Sequence, residues 1–490
     1  MPRRIKNFRR HAFFHRRFND KMKFLLSFYL VLLLAAIAAA QSGRTAPTPT
    51  PAPAESTPTA KELYEEASSY VRVKADEFAQ KKVPFSNDRL EILLSQQKAL
   101  AAHNALRLGG RKTLEKDDLY YLGMLHWLAQ DLDGTREILT SYLAAASDDN
   151  VKAQTARSIL SVVLAKQARP VEAANVLEDY KKHEPSKLSD IARMTAEIAK
   201  SFQSAKEFEK MVPFAVAAYE TAKSMLDDPS YRQRGLDELL DAGMLVFEAY
   251  RDSKNSVEAE KALDDMRLTA AKANSAGFYY YAGDQKIKYL IETGRKPEAM
   301  KFYEDIDATI NRNLKVVSIR EDVRRRFKVR RDQYRILGEK APEFVGVDVS
   351  FPGRQTLASL KGKVVLLDFW AIWCVPCIEA MPDLKEWHEM FSRDGFEIVG
   401  ITRYYGEPEG LPANKKDELA LIKAFREKHK MPYDIPVALD QRNQLAYGAT
   451  RLPTAVILDR KGVVRFVESG TSPLRLAQIE AAIKKLLEEN

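Results

Sequence analysis

Cysteine is nearly absent from this chain: two residues in 490, at positions 374 and 377. Two cysteines alone cannot close a zinc site, and the seven histidines are scattered without paired metal spacing, so no metal is expected. With both cysteines spent in one motif, no structural disulfide remains for the rest of the molecule, which must be held by packing. Net positive charge is scarce outside the N-terminus. Met1 to Lys23 holds nine Lys or Arg against Asp20 alone, so all but one unit of the net charge of +9 lies there. A near-neutral body excludes a nucleic-acid-binding one. No apolar run reaches the roughly 20 residues that cross a bilayer comfortably. Glycine and proline are sparse between Lys61 and Asp307, and strand-like alternation is missing there.

What is present begins with an export signal. A basic region precedes the apolar run Phe24 to Ala40, which ends on a small-residue pattern at Ala38 and Ala40. Residues 1–40 are therefore either a signal peptide cleaved after Ala40 or a retained N-terminal membrane anchor. In both cases the basic flank stays in the cytoplasm and the body faces outward. No cysteine follows the run, so a lipoprotein signal is excluded. Residues 41–60, rich in Pro, Thr and Ala, bury too little to order themselves and read as a spacer.

Residues 61–310 carry apolar positions three and four apart throughout, the pattern of a helical array. Ala168-Arg169-Pro170-Val171-Glu172-Ala173 matches Gly294-Arg295-Lys296-Pro297-Glu298-Ala299, each opening the second helix of a pair. This is similar to tetratricopeptide repeats, whose pairs stack because one pair cannot bury its face alone. Phe278-Tyr279-Tyr280-Tyr281 reads as core packing of that array. Residues 311–337, with Arg324-Arg325-Arg326 and Arg330-Arg331, read as a basic, solvated connector helix leading to Gly338.

The stretch that carries chemistry runs from Lys363 to Cys377. Val364 to Phe369 is an apolar run that reads as a buried strand of parallel type. After Trp373 the period turns helical, with Ile378, Met381, Leu384, Trp387 and Phe391 on one face. Cys374 thus stands at a helix N-terminus, where the dipole and free amides favour a thiolate. Cys374 is expected to attack and Cys377, one turn inside and shielded, to resolve the mixed disulfide. Pro376 is tolerated because first-turn amides lack intrahelical partners. Asp368 closes the strand and has two readings: a buried carboxylate that takes the Cys377 proton, or a solvated charge at a strand end.

Asp368-Phe369-Trp370-Ala371-x-Trp373-Cys374-x-x-Cys377 resembles the active-site segment of the thioredoxin superfamily. Pro382 fits the proline that kinks the active-site helix, and Leu452-Pro453-Thr454 fits the cis-proline facing the cysteines. Gly338 to Phe344 and Ser359 to Lys363 add a resemblance to the TlpA-like envelope reductases. The resemblance spans 338–490. It implies an α/β thioredoxin fold there, so the chain is expected to be multidomain: the all-α, TPR-like repeat region followed by that thioredoxin fold. It further implies a redox-active Cys374–Cys377 pair, catalytic roles for Asp368 and Pro453, and substrate contacts from Trp373, Val375, Pro376, Leu452 and Thr454. One departure matters. Many subgroup members carry Glu three residues after the second cysteine, where this chain has Ala380; Glu379, one residue earlier, points elsewhere, which puts more weight on Asp368.

The expected function is an exported thiol-disulfide oxidoreductase without metal or cofactor, acting at the periplasmic face as a reductase of protein disulfides. Its partners would be dithiol or disulfide clients and a membrane electron donor. Two alternatives stand beside it. The Ala341-Pro342-x-Phe344 opening is shared with peroxiredoxins, although Leu367 and Ala371 occupy the Pro and Thr places of the peroxide pocket. The other is a repeat scaffold that senses redox state without turnover.

Overall fold

The structure is a computed structural model and describes residues 57–145, 150–227, 235–353, 356–407, 410 and 412–489. The expected signal or anchor over 1–40 and nearly all of the 41–60 spacer lie outside the described residues. Among the described residues, no helix is long and apolar enough to cross a membrane.

The sparse-glycine region folds as α1 (Ala60–Gln80), α2 (Asn87–Gly109), α3 (Lys116–Leu128), α4 (Leu132–Ala145), α5 (Asn150–Lys166), α6 (Pro170–Lys181) and α7 (Leu188–Ser204). It continues through α8 (Phe208–Met225), α9 (Gly235–Asp252), α10 (Ser256–Lys272), α11 (Ala276–Glu292), α12 (Lys296–Glu304), α13 (Ile306–Asn313) and α14 (Val317–Ile336). Local chemistry sets the starts. Thr59 and Glu62 form a reciprocal capping box at α1, and prolines open α6 and α12, the two helices matched in the sequence.

The repetition is regular in the backbone. Gln130, Ala168, Lys206, Lys254 and Gly294 each join two helices of a pair at positive φ, from 57° to 78°. In every case the next amide reaches back five residues, as from Asp131 N–H to His126 C=O (2.9 Å) and from Arg295 N–H to Leu290 C=O (2.8 Å). This left-handed closure satisfies orphan carbonyls at a helix C-terminus. Because four of these five positions are not glycine, composition conceals them.

The second part alternates β1 (Val347–Phe351), β2 (Val364–Phe369), α15 (Val375–Phe391), β3 (Phe396–Arg403), α16 (Lys415–His429), β4 (Ile435–Ala438), α17 (Arg442–Ala446), β5 (Thr454–Leu458), β6 (Val464–Ser469) and α18 (Pro473–Glu488). The sheet order is β1-β4-β3-β2-β5-β6. β2 is parallel to β3, as its apolar run predicts, but antiparallel to β5 on its other side. This is the thioredoxin arrangement, with both architectures inside one compact unit, Thr59–Asn490.

Alternation along β2 assigns its faces. Val364, Leu366 and Trp370 enter the core that α15 and α18 cover. Val365, Leu367 and Phe369 enter a second core, continuous with the helices from α5 to α14. The helical array therefore shares a core with the sheet face opposite the dithiol helix. α14 departs from the expected solvated connector. Arg324, Arg325 and Arg326 do pair at the surface with Asp307, Glu321 and Asp322. Arg330 is buried, however, and bridges Asp284 of α11 and Glu468 of β6. A run of arginines reads as a solvated face only until one of them meets buried carboxylates. The aromatic cluster follows its core reading: Phe278 and Tyr279 are buried, and Tyr280 stacks edge-on against Phe327 of α14.

Candidate active site

β2 ends at Phe369, and a short turn delivers Cys374 to the N-cap of α15. Its Sγ accepts from the Cys377 amide at 3.3 Å, the helix-terminal environment that favours a thiolate. Cys374 and Cys377 are joined as a disulfide. Their exposures are 4% and 2%, so the expected contrast between an exposed attacker and a shielded resolver is absent in this oxidised form. The neighbours carry the exposure instead: Trp373 is 47% and Val375 62% exposed. Packing of Trp370, Ala371 and Met381 into the same core as both sulfurs accounts for the difference.

Asp368 shares the β2 face with Leu366 and Trp370, the face that α15 covers. It is buried, and no hydrogen bond or charge among the described residues offsets that burial, which pushes its carboxyl up to about 7. The solvated reading is therefore not met. Directly across the parallel register stands Gly400. A Cβ there would come within 3.0 Å of the Tyr433 ring and 3.1 Å of the Trp370 indole nitrogen. Tyr433 is held neutral by its own burial and then by the nearby Asp368 charge. Tyr433 lies far along the chain in a Met-Pro-Tyr segment, and no sequence signal marks it.

The cis-proline loop sits at the same sheet edge. The Leu452–Pro453 bond is cis, Thr454 pairs with Phe369 at the end of β2, and Leu452 packs on the core that holds the cysteines. Thr454 differs from its expected substrate contact. It is fully buried, and its hydroxyl donates to Arg451 C=O (2.6 Å) and pairs with Ser469 Oγ (2.7 Å). Its side chain is used inward because Thr454 stands opposite Phe369 and Ser469 in the register and so shares the Phe369 face, which enters the core continuous with the helical array.

A third group stands on the loop after β3, which the parallel pairing of β3 with β2 brings to the cysteine edge of the sheet. The Trp373 ring meets Tyr405 edge-on at 5.2 Å, and the Arg403 guanidinium stacks on Tyr405 at 3.9 Å. Gln444 donates to the Tyr405 hydroxyl. Glu418, buried at the start of α16, accepts from the Tyr405 and Gly406 amides at 2.7 and 3.0 Å, fixing this loop beside the dithiol. Glu379 is exposed and Ala380 buried. Among the described residues, no cluster of His, Cys, Asp or Glu could hold a metal.

Comparison with known proteins fits this geometry. The sequence profile of the AhpC/TSA family matches residues 337–467. Thiol-disulfide oxidoreductase ResA of Geobacillus thermodenitrificans is 32% identical over 138 residues, covering 28% of this chain and 70% of that protein. The chain belongs to the TlpA-like thiol-disulfide oxidoreductases of the thioredoxin superfamily. Another relative, thioredoxin-like protein YneN of Bacillus subtilis, is 30% identical, with the match covering 27% of this chain and 72% of that protein. A crystal structure of a thiol:disulfide interchange protein of the thioredoxin family from Chlorobium tepidum aligns with 25% identity and a TM-score of 0.24, over 30% of this chain and 95% of its own. These matches concern the thioredoxin part.

Proposed function

We propose that this oxidoreductase is an exported reductase of protein disulfides, working through Cys374, Cys377, Asp368 and the Pro453 loop. The observation that carries the reading is Asp368, a buried carboxyl poised near neutrality on the face that the dithiol helix covers. In the reduced enzyme the Cys374 thiolate attacks a client disulfide. A Cys374–client bond forms, the client S–S bond breaks, and one client sulfur leaves as thiolate. Asp368 then takes the Cys377 proton, Cys377 attacks Cys374 Sγ, and the second client sulfur leaves. The client gains two electrons and the enzyme pair becomes the disulfide, which a dithiol donor at the membrane must reduce again. Trp373, Val375, Pro376 and Leu452 form the surface a client meets, and the helical array supplies an extended surface for partner proteins.

Two features support the reducing direction. The dipeptide between the cysteines is Val-Pro, without a histidine to stabilise a reduced thiolate, and no cationic side chain lies in the motif. A potential near about −270 mV, away from the about −120 mV of a strong oxidant, is expected. The peroxide alternative lacks support at its pocket: Leu367 and Ala371 are fully buried apolar residues. Export rests on the residues 1–40 pattern, with either cleavage or anchoring as its end.

The test is trapping. Cys377→Ser should accumulate mixed disulfides with extracytoplasmic proteins, seen as bands that collapse on reduction, while Cys374→Ser should not. The opposite pattern would reverse the two roles, and no adducts with either variant would sink the reductase reading.

A further inference from the structure

The helical array reaches the cis-proline loop through a continuous chain of hydrogen bonds. On α14, Arg330 donates to the Gln333 side-chain oxygen at 2.6 Å, which leaves the Gln333 amide pointing at the sheet. That amide donates to Ser469 Oγ at 3.2 Å and to Gly448 C=O at 3.3 Å. Ser469 Oγ meets Thr454 Oγ1 at 2.7 Å, and Thr454 Oγ1 donates to Arg451 C=O at 2.6 Å. Only one direction of protons satisfies every group, because Thr454 uses its own hydrogen on Arg451 and so accepts from Ser469. Ser469 in turn accepts from Gln333. A further bond, Gly470 N–H to Pro453 C=O at 2.8 Å, ties the same strand end to the loop.

Gln333 is 3% and Thr454 0% exposed, so these bonds lie where losing one partner leaves the other unsatisfied. The fit is also steric. Gly448 stands at φ +60°, and a Cβ there would fall 2.9 Å from the Gln333 backbone nitrogen. The α14 backbone is thus seated directly on the segment that leads into the loop. Behind Gln333, Arg330 is anchored to Asp284 of α11, inside the helical array.

We infer that Gln333 and Ser469 are positioning residues for residues 451–454, so that the helical array sets the edge on which a client's extended backbone docks. The inference rests on the reading that the Pro453 loop receives the client. Loss of the chain should loosen Arg451 and Thr454 on either side of the proline and weaken protein docking, while the electron transfer between sulfurs proceeds as before.

The experiment measures reduction of insulin, a protein disulfide, by the full chain with a dithiol donor. Gln333→Leu and Ser469→Ala should each raise KM about ten-fold with little change in kcat, and the double variant should be no worse than either single one. Ser469→Thr, which keeps the hydroxyl, should restore KM. An unchanged KM in both variants overturns the proposal. So does a fall in kcat that Ser469→Thr does not rescue, because that marks a general structural role. Pro453→Ala separates the two levels of the argument. If it raises KM where Gln333→Leu does not, the link to α14 is wrong; if it leaves KM unchanged, the reading of the loop itself is wrong.

Discussion

Replacing Asp368 by Asn is expected to make the protein more stable and the enzyme slower. Burial holds the folded carboxyl at about 7, against 3.8 for an ordinary Asp. The folded state therefore keeps a proton that the unfolded state has released, and stability falls as pH rises from about 4 to about 7. Above that range both states are ionised and the loss is complete. Three units or so at 1.36 kcal/mol each put the effect on the order of 4 kcal/mol, less what an unpartnered amide forfeits. Urea unfolding of the oxidised protein should show Asp368→Asn ahead of wild type at pH 8 and level with it at pH 4. Turnover should move the other way. Resolution by Cys377 needs an ionised base, so the wild-type rate should climb with pH until about 7 and then level. The variant should lack that limb and run about 10²-fold slower at pH 8, the usual contribution of a positioned base. A stability gain without the kinetic loss would make Asp368 a buried misfit with no part in catalysis.

The sequence discloses Asp368 as a candidate because a carboxylate interrupts an apolar strand, but burial could not be read from one dimension. The decisive facts are that α15 covers that face of β2 and that Gly400 and Tyr433 stand across from it. The same division holds elsewhere. β2, β3, α16 and the β5–β6 hairpin follow from local patterns: apolar runs, amphipathic spacing, and Asp459 at the turn, whose carboxylate accepts from the Lys461 and Val463 amides. β1 escaped notice because it is short and half-buried, and α17 because five residues hold too little period to detect. Both exist through tertiary partners, β1 by pairing with β4. The cysteine pair, its helix terminus and the cis-proline were legible as motifs. The inward use of Thr454 was not, since it depends on Ser469 in the neighbouring strand.

Arg330 marks the limit of reading charge from sequence, and its loss should have the largest effect on folding of any exchange outside the dithiol site. Its guanidinium donates to both Glu468 oxygens, at 2.7 and 3.1 Å, and lies 3.4 Å from Asp284, which also accepts from Lys288 and the Tyr334 hydroxyl. Asp284 and Glu468 are opposed by their burial, yet Lys288 and Arg330 hold both carboxyls below their ordinary range. Arg330→Met keeps the length of the side chain and removes the charge, leaving two buried carboxylates with Lys288 alone. Breaking a buried ion set from one side costs about 3–5 kcal/mol, where an exposed pair would cost about 1 kcal/mol or less. The pH dependence fixes the cause. Carboxyls lowered in the folded state stabilise it above their unfolded pKa, and that contribution is lost as pH falls through the carboxylate range and below. In Arg330→Met the same protonation relieves an uncompensated charge. The gap between variant and wild type should therefore be widest near neutrality and narrow on acidification, followed by urea unfolding with far-ultraviolet circular dichroism. Adding Glu468→Gln to Arg330→Met should recover part of the loss, since it removes one of the stranded charges. A deficit that stays constant with pH, or a double variant as weak as the sum of its parts, would mean that Arg330 acts through packing of its stem instead of through the charges that tie α11, α14 and β6 together.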